Sequence, residues 1–427
     1  MIQTGLIQSA HNDLVTDVSY DFYGLRLATC SLDQRIKVWQ LDESNGNWSV
    51  EDDWKAHDAA VSKLSWAHPE FGTILASSSF DRTVKVWEQT SYGAQGESQP
   101  NGASQQQPTP SSSRWMERAV LVEARGTVRA VEFAPHHFGL KLATISSDNQ
   151  LRIYECLEQS SLSNWQLSEE VDVLALPSSS SQSSHSVAFA TPTQTSAALD
   201  SASASLVAQA LQQSQAPFGQ SRPGMGNREA DGGWCISWCK DRYWGELIAT
   251  GCGISGVIKI IQISPSRRPA TLLALTLDAS PASHAVSSET TTAADADVPT
   301  PYAVTSVAWA PSCGRSYHLI ATGSRDGHVR IWRVKPSEDG DVDDGEGGDP
   351  KWTGSVVADF DHHKSAVGRV EWNITGTVLS SAGNDGRVRL WKATVGNVWR
   401  PAGSVGVEQT EDQQDADVNM DENVVAD

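Results

Sequence analysis

The hydrophobic positions of this chain recur in a fixed order. A first run consists of an apolar residue, two other residues, a second apolar residue, one further residue and an aromatic residue, as in Val61, Leu64 and Trp66. Downstream, a cluster of small residues leads to an Asp, which is followed by five residues and then an aromatic residue, as in Asp81 to Trp87. Repetition at this scale is the sequence signature of a repeat architecture, so it decides the fold class.

Six copies of the pattern are present. The first run occurs as Val15, Val18 and Tyr20, as Val61, Leu64 and Trp66, as Val128, Val131 and Phe133, as Ile236 and Trp238, as Val304, Val307 and Trp309, and as Val367, Val370 and Trp372. The second run occurs as Asp33 to Trp39, Asp81 to Trp87, Asp148 to Tyr154, Asp326 to Trp332 and Asp385 to Trp391. In the fourth copy, Ser255 stands at the Asp position and Ile261 at the aromatic position.

Each copy is predicted to form four strands. Alternating β-branched and apolar residues, interrupted by turns such as Asp326-Gly327 and Asp385-Gly386, indicate strand, tight turn and strand. A fourth strand is predicted after each aromatic position, at Trp48 to Trp54, Trp115 to Val122, Trp165 to Val173, Leu272 to Leu277, Trp352 to Phe360 and Val398 to Val405. Because a four-stranded repeat of this kind is a propeller blade, the sequence predicts an all-β, six-bladed β-propeller.

The Asp and aromatic positions are interpreted as structural. An Asp in the turn between the second and third strands can accept hydrogen bonds from a His at the start of its blade, and His11, His57 and His363 occupy that place. Copies three and five have no His there. Since a buried carboxylate without donors is costly, we expect a satisfied polar network inside each blade and no catalytic role for these residues.

The repeats resemble the WD-repeat family, and within it the Seh-type scaffold nucleoporins. The resemblance rests on His11 to Trp39, on Trp66-Ala-His-Pro-Glu-Phe-Gly72 with Ser79-Phe-Asp-Arg82, and on Phe133-Ala-Pro through Arg152-Ile-Tyr154. The COPII coat propeller is a close cousin that shares the Trp-Ala-His-Pro stretch, whereas the run that begins at His137 favours the nucleoporin. The resemblance covers the six blades and fails in the insertions between them.

The domain organisation follows from composition. Residues 11–406 are predicted to form the propeller, with disordered insertions at about 91–113, 177–230, 279–299 and 336–350, a preceding strand within 1–10 and an acidic disordered tail at 407–427. Within 177–220 the one charged residue is Asp200. Such segments cannot bury enough apolar surface to offset the entropy lost on ordering.

The formal net charge of −20 is concentrated in two segments. Residues 336–350 carry seven acidic side chains and residues 407–427 carry eight, with no basic side chain in either. The remainder is therefore close to balanced, at −20 + 15 = −5. Direct nucleic-acid binding is disfavoured, because phosphate contacts require a basic face.

The sequence offers no signature of catalysis, metal binding, a cofactor or a membrane span. Cys235 and Cys239 are expected to be core residues on one strand face, without a His to complete a zinc site. The most apolar stretch, Leu247 to Ile263, is interrupted by glycines and Lys259, as expected for a hairpin. The amino terminus lacks the features of a signal peptide, and the six Cys have no disulfide-framework spacing, so a reducing compartment is expected.

One predicted strand has no place in six complete blades. In closed propellers the amino-terminal strand forms the outermost strand of the last blade, but here Val398 to Val405 already fills that position. The segment Ile2, Gln3, Thr4, Gly5, Leu6, Ile7 and Gln8 is therefore predicted to seed an incomplete seventh blade. An open ring exposes strand edges that need a covering partner.

The resemblance implies what that partner is. In the Seh family a helical-solenoid nucleoporin inserts three strands in trans beside the amino-terminal strand, within the Y-shaped complex of the nuclear pore at the nuclear envelope and together with the other subunits of that complex. The family also implies a second residence, in a coat-like complex at the vacuolar or lysosomal membrane surface that regulates signalling by the target-of-rapamycin kinase.

Two alternatives stay open. A COPII-type coat propeller would use the same open ring with a different solenoid. A closed propeller could instead read linear peptides as a ubiquitin-ligase substrate adaptor, which requires the amino-terminal strand to pair within the last blade.

Overall fold

The computed structural model describes residues 7–91, 113–176, 231–264, 267–276, 302–336 and 352–406. In these ranges the chain forms six four-stranded antiparallel sheets, and the four strands of each sheet are consecutive in sequence. The prediction of an all-β, six-bladed β-propeller is confirmed. The predicted strand segment from Ile2 to Leu6, the acidic tail and most of each predicted insertion lie outside the described residues.

The first three blades have the following strands. Blade 1 contains β1 (Val15–Tyr20), β2 (Arg26–Ser31), β3 (Arg35–Asp42) and β4 (Asn47–Lys55). Blade 2 contains β5 (Val61–Trp66), β6 (Ile74–Ser79), β7 (Val84–Ser91) and β8 (Ser113–Leu121). Blade 3 contains β9 (Val128–Phe133), β10 (Lys141–Ser146), β11 (Gln150–Cys156) and β12 (Trp165–Asp172).

The last three blades repeat this order. Blade 4 contains β13 (Gly233–Trp238), β14 (Glu246–Gly253), β15 (Ile258–Ser264) and β16 (Arg267–Leu275). Blade 5 contains β17 (Val304–Trp309), β18 (His318–Ser324), β19 (Val329–Pro336) and β20 (Trp352–Phe360). Blade 6 contains β21 (Val367–Trp372), β22 (Val378–Gly383), β23 (Arg387–Ala393) and β24 (Trp399–Gly406). Short 3-10 helices at Pro69–Phe71, His136–Phe138 and Arg242–Trp244 join the first two strands of blades 2, 3 and 4.

The predicted strand bounds agree with the structure except in detail. The fourth strand of blade 4 was expected at Leu272 to Leu277, but it begins at Arg267. The reason is a tight connection, since Ser264 of β15 already pairs with Arg267 of β16. The structure supports the proposed alignment of blade 4, in which Ile261 takes the aromatic position. The pairing of the third and fourth strands shifts by a residue just before Trp39, Tyr154 and Trp332 in their blades, and it shifts just before Ile261 in blade 4.

The core lies between blades. Five apolar clusters of buried residues are present in the described part of the chain, and each joins two successive blades, from blades 1 and 2 to blades 5 and 6. The innermost strands of these successive blades also lie side by side. Within the described residues, neither feature joins blade 6 to blade 1. A ring of six blades has six junctions between neighbouring blades, which are called seams. In the described residues, five of these six seams have an apolar core.

Candidate partner interface at the ring opening

The Asp and the aromatic residue of the repeat form one hydrogen-bonded unit in blade 2. His57 contacts Asp81 at 2.9 Å through Nδ1 and Ser77 Oγ at 2.8 Å through Nε2, and the Trp87 indole N–H donates to the same Ser77 oxygen at 2.9 Å. Burial alone would raise the pKa of Asp81, but hydrogen bonds from His57 and Thr83 outweigh it and hold the pKa well below its usual range. The unit ties β6, β7, the turn between them and the blade entry together.

Blades 1 and 6 contain the same unit. In blade 1 it consists of His11, Asp33, Thr29 and Trp39, and in blade 6 of His363, Asp385, Ser381 and Trp391. In blade 6 the guanidinium of Arg389 also donates to Asp385 at 2.7 Å, and the pKa of that Asp is lowered to about 2, chiefly because the bonds from Arg389 and His363 outweigh its desolvation.

Arginine takes the place of histidine in blades 3 and 5. The Arg152 guanidinium donates to Ser146 Oγ and to Asp148 Oδ2, both at 2.8 Å, and Arg330 reaches Asp326 in the same way at 3.0 Å. Desolvation would raise the pKa of Asp148, but the bonds from Arg152 and Ser146 lower it to about 2. Sequence reasoning missed these arginines. The available signal was an Arg two positions before the aromatic residue in copies three and five, neither of which has the entry His.

The aromatic residues of these two blades are likewise hydrogen-bonded. The Tyr154 hydroxyl donates to Glu123 at 3.0 Å, and the Trp332 indole N–H donates to Thr322 at 3.1 Å. In blade 4, Ser255 Oγ accepts a bond from the Val257 N–H at 3.4 Å, and Ile261 is fully buried. The networks lie one to a blade, and they do not converge on a shared cleft.

The junction between blades 6 and 1, which lacks an apolar core in the described residues, is called the opening. The candidate interface is the side of blade 1 that faces this opening. In β5, β9, β17 and β21 the two apolar positions of the repeat are buried against the preceding blade. In β1 the corresponding Val15 is 49% exposed, Val18 is 41% exposed and the aromatic Tyr20 is 57% exposed. A strand face that is core in the other blades is thus uncovered in blade 1.

Blade 6 presents the complementary uncovered face. In blade 2 the residues that receive the next blade, Ala76, Val84 and Val86, are buried. The residues at the same register positions of blade 6 are Ser380, Val388 and Leu390, of which none is buried and Val388 is 40% exposed. Both flanks of the opening therefore have unburied residues at core positions.

Hydrogen bonds from side-chain hydroxyls to backbone carbonyls of the next innermost strand show the same discontinuity. At the second position of these strands, Thr16 donates to the Val61 carbonyl and Ser62 to the Val128 carbonyl, both at 2.6 Å, and Thr305 donates to the Val367 carbonyl. Blade 6 has Gly368 at this position, so it has no side-chain donor to offer a following blade. The local sequence of β21 fits the last blade of an open series.

Two segments could supply the outermost strand of blade 6, one from each end of the chain, and in the described residues the carboxyl-terminal one does so. Strand β24 pairs with β23 along its length, from Ala393 opposite Trp399 to Arg387 opposite Gly406, and so completes blade 6 from the carboxyl-terminal side. Of the predicted amino-terminal strand, Ile7 and Gln8 are described; they are not in a strand, with Ile7 half-buried and Gln8 exposed. The other predicted partner-binding residues, from Ile2 to Leu6, lie outside the described residues.

Comparison with known proteins now decides the family. A model of the WD domain, G-beta repeat, matches residues 4–40, 48–88, 299–333 and 354–392. Nucleoporin SEH1 of Saccharomyces cerevisiae is 33% identical over 92% of this chain and 96% of its own length, and nucleoporin SEH1 of Homo sapiens is 36% identical over 93% and 86%. Nucleoporin seh1 of Schizosaccharomyces pombe is 30% identical over 96% of this chain and 98% of its own. The chain belongs to the nucleoporin SEH1 family.

In this SEH1-family chain the repeat model matches blades 1, 2, 5 and 6 but not blades 3 and 4. These two blades depart most from the repeat, because blade 3 ends its second run in Tyr154 and blade 4 lacks both the Asp and the aromatic residue. The first match begins at residue 4, inside the predicted amino-terminal strand. Within the described ranges there is neither a cluster of side chains suited to a metal ion nor a helix long and apolar enough to cross a membrane.

Proposed function

We propose that this protein is a non-enzymatic structural scaffold of the nuclear pore, and that it binds a helical-solenoid nucleoporin by accepting strands of that partner in the opening between blades 6 and 1. Membership of the nucleoporin SEH1 family supports the pore location and the association with other pore subunits. The observation that carries the binding mode is the exposed apolar face of β1, formed by Val15, Val18 and Tyr20.

The physical basis is completion of a sheet-on-sheet core. Strands of the partner would pair with the amino-terminal segment from Ile2 to Gln8 and form a seventh blade, whose faces cover β1 on one side and blade 6 on the other. β-Augmentation of this kind combines backbone hydrogen bonds with side-chain burial. We expect an obligate-type interface of more than about 2,000 Å².

The two alternative functions predict different partners. A coat propeller with the same opening would recover a vesicle-coat solenoid, so the identity of the co-purifying protein separates it from a nucleoporin. A closed peptide-reading propeller requires the amino-terminal strand in the last blade, a place that β24 already occupies. The opening therefore favours a scaffold over a closed adaptor.

The deciding experiment is co-purification from cells that express a tagged chain. Removal of residues 1–9 should abolish recovery of the solenoid nucleoporin, because the strand on which the seventh blade is built is lost. A matched control carries Val50→Ser on the exposed face of β4, which should leave recovery unchanged. Undiminished recovery after the truncation would remove the amino-terminal strand from the mechanism.

A second role, in a vacuolar or lysosomal coat-like complex that regulates target-of-rapamycin signalling, is proposed on the family resemblance. It would use the same opening, since one chain has one incomplete blade. A mass-spectrometric inventory of the proteins that co-purify with the tagged chain tests it: subunits of that complex should be recovered with the parent chain and lost with the truncated one. Recovery of pore subunits without any of the second complex would contradict this role.

A further inference from the structure

The opening is spanned by a partly buried ion pair. Asp17 lies on β1 and is 4% exposed, and its carboxylate accepts a hydrogen bond from the guanidinium of Arg369 on β21 of blade 6. The same oxygen accepts from Lys63 Nζ of blade 2 at 3.2 Å, and the second oxygen accepts from the Leu64 backbone N–H at 3.0 Å. One carboxylate thus connects three blades.

In the described residues, the seam with this contact lacks the apolar cluster that each of the other five seams has. The seam between blades 5 and 6, for example, buries Val367 and Val370 against Ala321 and Ile331. Within the described residues no apolar cluster accompanies the pair of Asp17 and Arg369. A charged contact in partial burial is strongly orientation-dependent, because its hydrogen bonds require a fixed separation of donor and acceptor. It can therefore fix a distance that apolar contacts do not fix here.

The charges around Asp17 are arranged so that its loss would push the flanks apart. Arg369 and Lys63 both point at this carboxylate, and Arg369 has a second, more exposed partner in Glu371 at 3.1 Å. Without the negative charge of Asp17, two like charges would face one another across a partly buried site, where their repulsion is less screened than in bulk water.

We propose that Asp17 is a positioning residue: bonded to Arg369, it sets the separation of blades 6 and 1 in the free chain and thereby the width of the opening. The role in partner binding rests on the proposed function, because a preset opening reduces the ordering that the incoming strands must impose. The role in setting the separation concerns the isolated chain and stands independently of any partner.

The test measures the separation of two spin labels across the opening in the isolated full chain. Labels are placed by Glu43→Cys in the turn between β3 and β4 and by Val395→Cys in the turn between β23 and β24, both on exposed positions. The background carries Cys313→Ser, because Cys313 is exposed while the other cysteines are buried. Each variant is first checked by circular dichroism and gel filtration.

Asp17→Asn and Arg369→Gln should each broaden the distance distribution and shift it by several ångströms to longer separation. Arg369→Gln is the milder change, because Asp17 keeps Lys63 and the Leu64 N–H, so it serves if Asp17→Asn does not fold. The matched control Lys63→Met keeps the pair across the opening and should preserve the parent distribution. Unchanged distributions in Asp17→Asn and Arg369→Gln would overturn the proposal. Failure of the nucleoporin to bind would leave this measurement unaffected, so the two proposals fail separately.

Discussion

At the scale of single residues, the carboxylates in the turns between the second and third strands are held by partners from their own blade. The carboxylate of Asp81 is held by His57 and that of Asp148 by Arg152, and both arrangements keep the Asp ionised. Two unlike residues can serve one purpose because each supplies an N–H aimed at the same turn. His318 differs, since it is buried among rings and its Nε2 atom has no hydrogen-bond partner.

His318 is expected to make stability depend on pH. It packs against Trp309, Trp244 and Trp352 with ring centroids 5.3, 5.4 and 5.9 Å away, and this burial lowers its pKa from 6.5 to about 4. The unfolded chain takes up the proton near pH 6.5 and the folded chain only near 4, so the stability from the neutral ring is complete above about 6.5 and is lost as pH falls. The loss by pH 4 amounts to about 3 kcal/mol.

Urea unfolding between pH 7 and 4 checks this expectation. His318→Phe should flatten the acid loss of unfolding free energy, whereas His362→Phe, an exposed histidine of blade 6, should retain the full slope. The buried His363 and the partly buried His68 and His137, whose pKa values are also lowered first by burial, leave a residual slope in every variant. An equal slope in His318→Phe and the parent would refute the assignment.

At the scale of elements, equivalent strands of the repeat contribute differently to stability in different blades. Strands β1 and β9 share the repeat pattern, yet Val131 of β9 is 5% exposed and Val18 of β1 is 41% exposed. The difference comes from the neighbour: β9 packs on blade 2, and β1 has no packed neighbour on that side in the described chain. Burial is thus a property of the seam and not of the strand.

Val131→Ala and Val18→Ala remove the same atoms from equivalent positions. Val131→Ala should reduce the free energy of unfolding by about 2 kcal/mol, because it removes buried methyl groups and leaves a cavity. Val18→Ala should change it by less than about 0.5 kcal/mol, as expected for a surface position. Equilibrium unfolding of the isolated chain measures both, and equal losses would indicate that β1 is covered in the free protein.

At the scale of the whole molecule, the described residues form a series of six blades with five apolar seams, and blades 6 and 1 are joined by the ion pair of Asp17 and Arg369. Closed propellers leave only short, protected edges, whereas an interrupted ring leaves a core face on each flank. Here the flanks are the face of β1 and the outer surface of blade 6 around Val388. The free chain should consequently behave as an incomplete assembly.

The isolated chain is expected to self-associate as its concentration rises, because exposed apolar faces of this kind tend to associate with one another in water. Sedimentation velocity over a dilution series should show this association, and the double variant Val18→Ser/Tyr20→Ser should suppress it without loss of folding. The control Val50→Ser/Val356→Ser changes two equally exposed positions of outer strands and should leave it in place. A strictly monomeric parent chain at all concentrations would contradict the expectation.

The repeat itself was readable from the sequence because each blade is a local unit. Spacing of apolar residues, turn residues and aromatic residues fixes four short strands, and even the degenerate blade 4 kept its register through Ser255 and Ile261. The histidine network was readable for the same reason, since its members recur at constant spacing. The arginines of blades 3 and 5 were missed because one position in a strand can point to the core or to the turn, and packing chooses between them.

What the sequence by itself determined was the number of blades and the strands of each blade, whereas the surplus strand at the amino terminus stays a prediction. Only the tertiary structure decided which core positions are covered, because burial depends on the neighbouring blade, which is distant in sequence for blades 1 and 6. Val15, Val18 and Tyr20 look like core residues in the sequence and are surface residues in the fold. The contact of Asp17 with Arg369 joins opposite ends of the propeller for the same reason: a ring brings its first and last blades together in space.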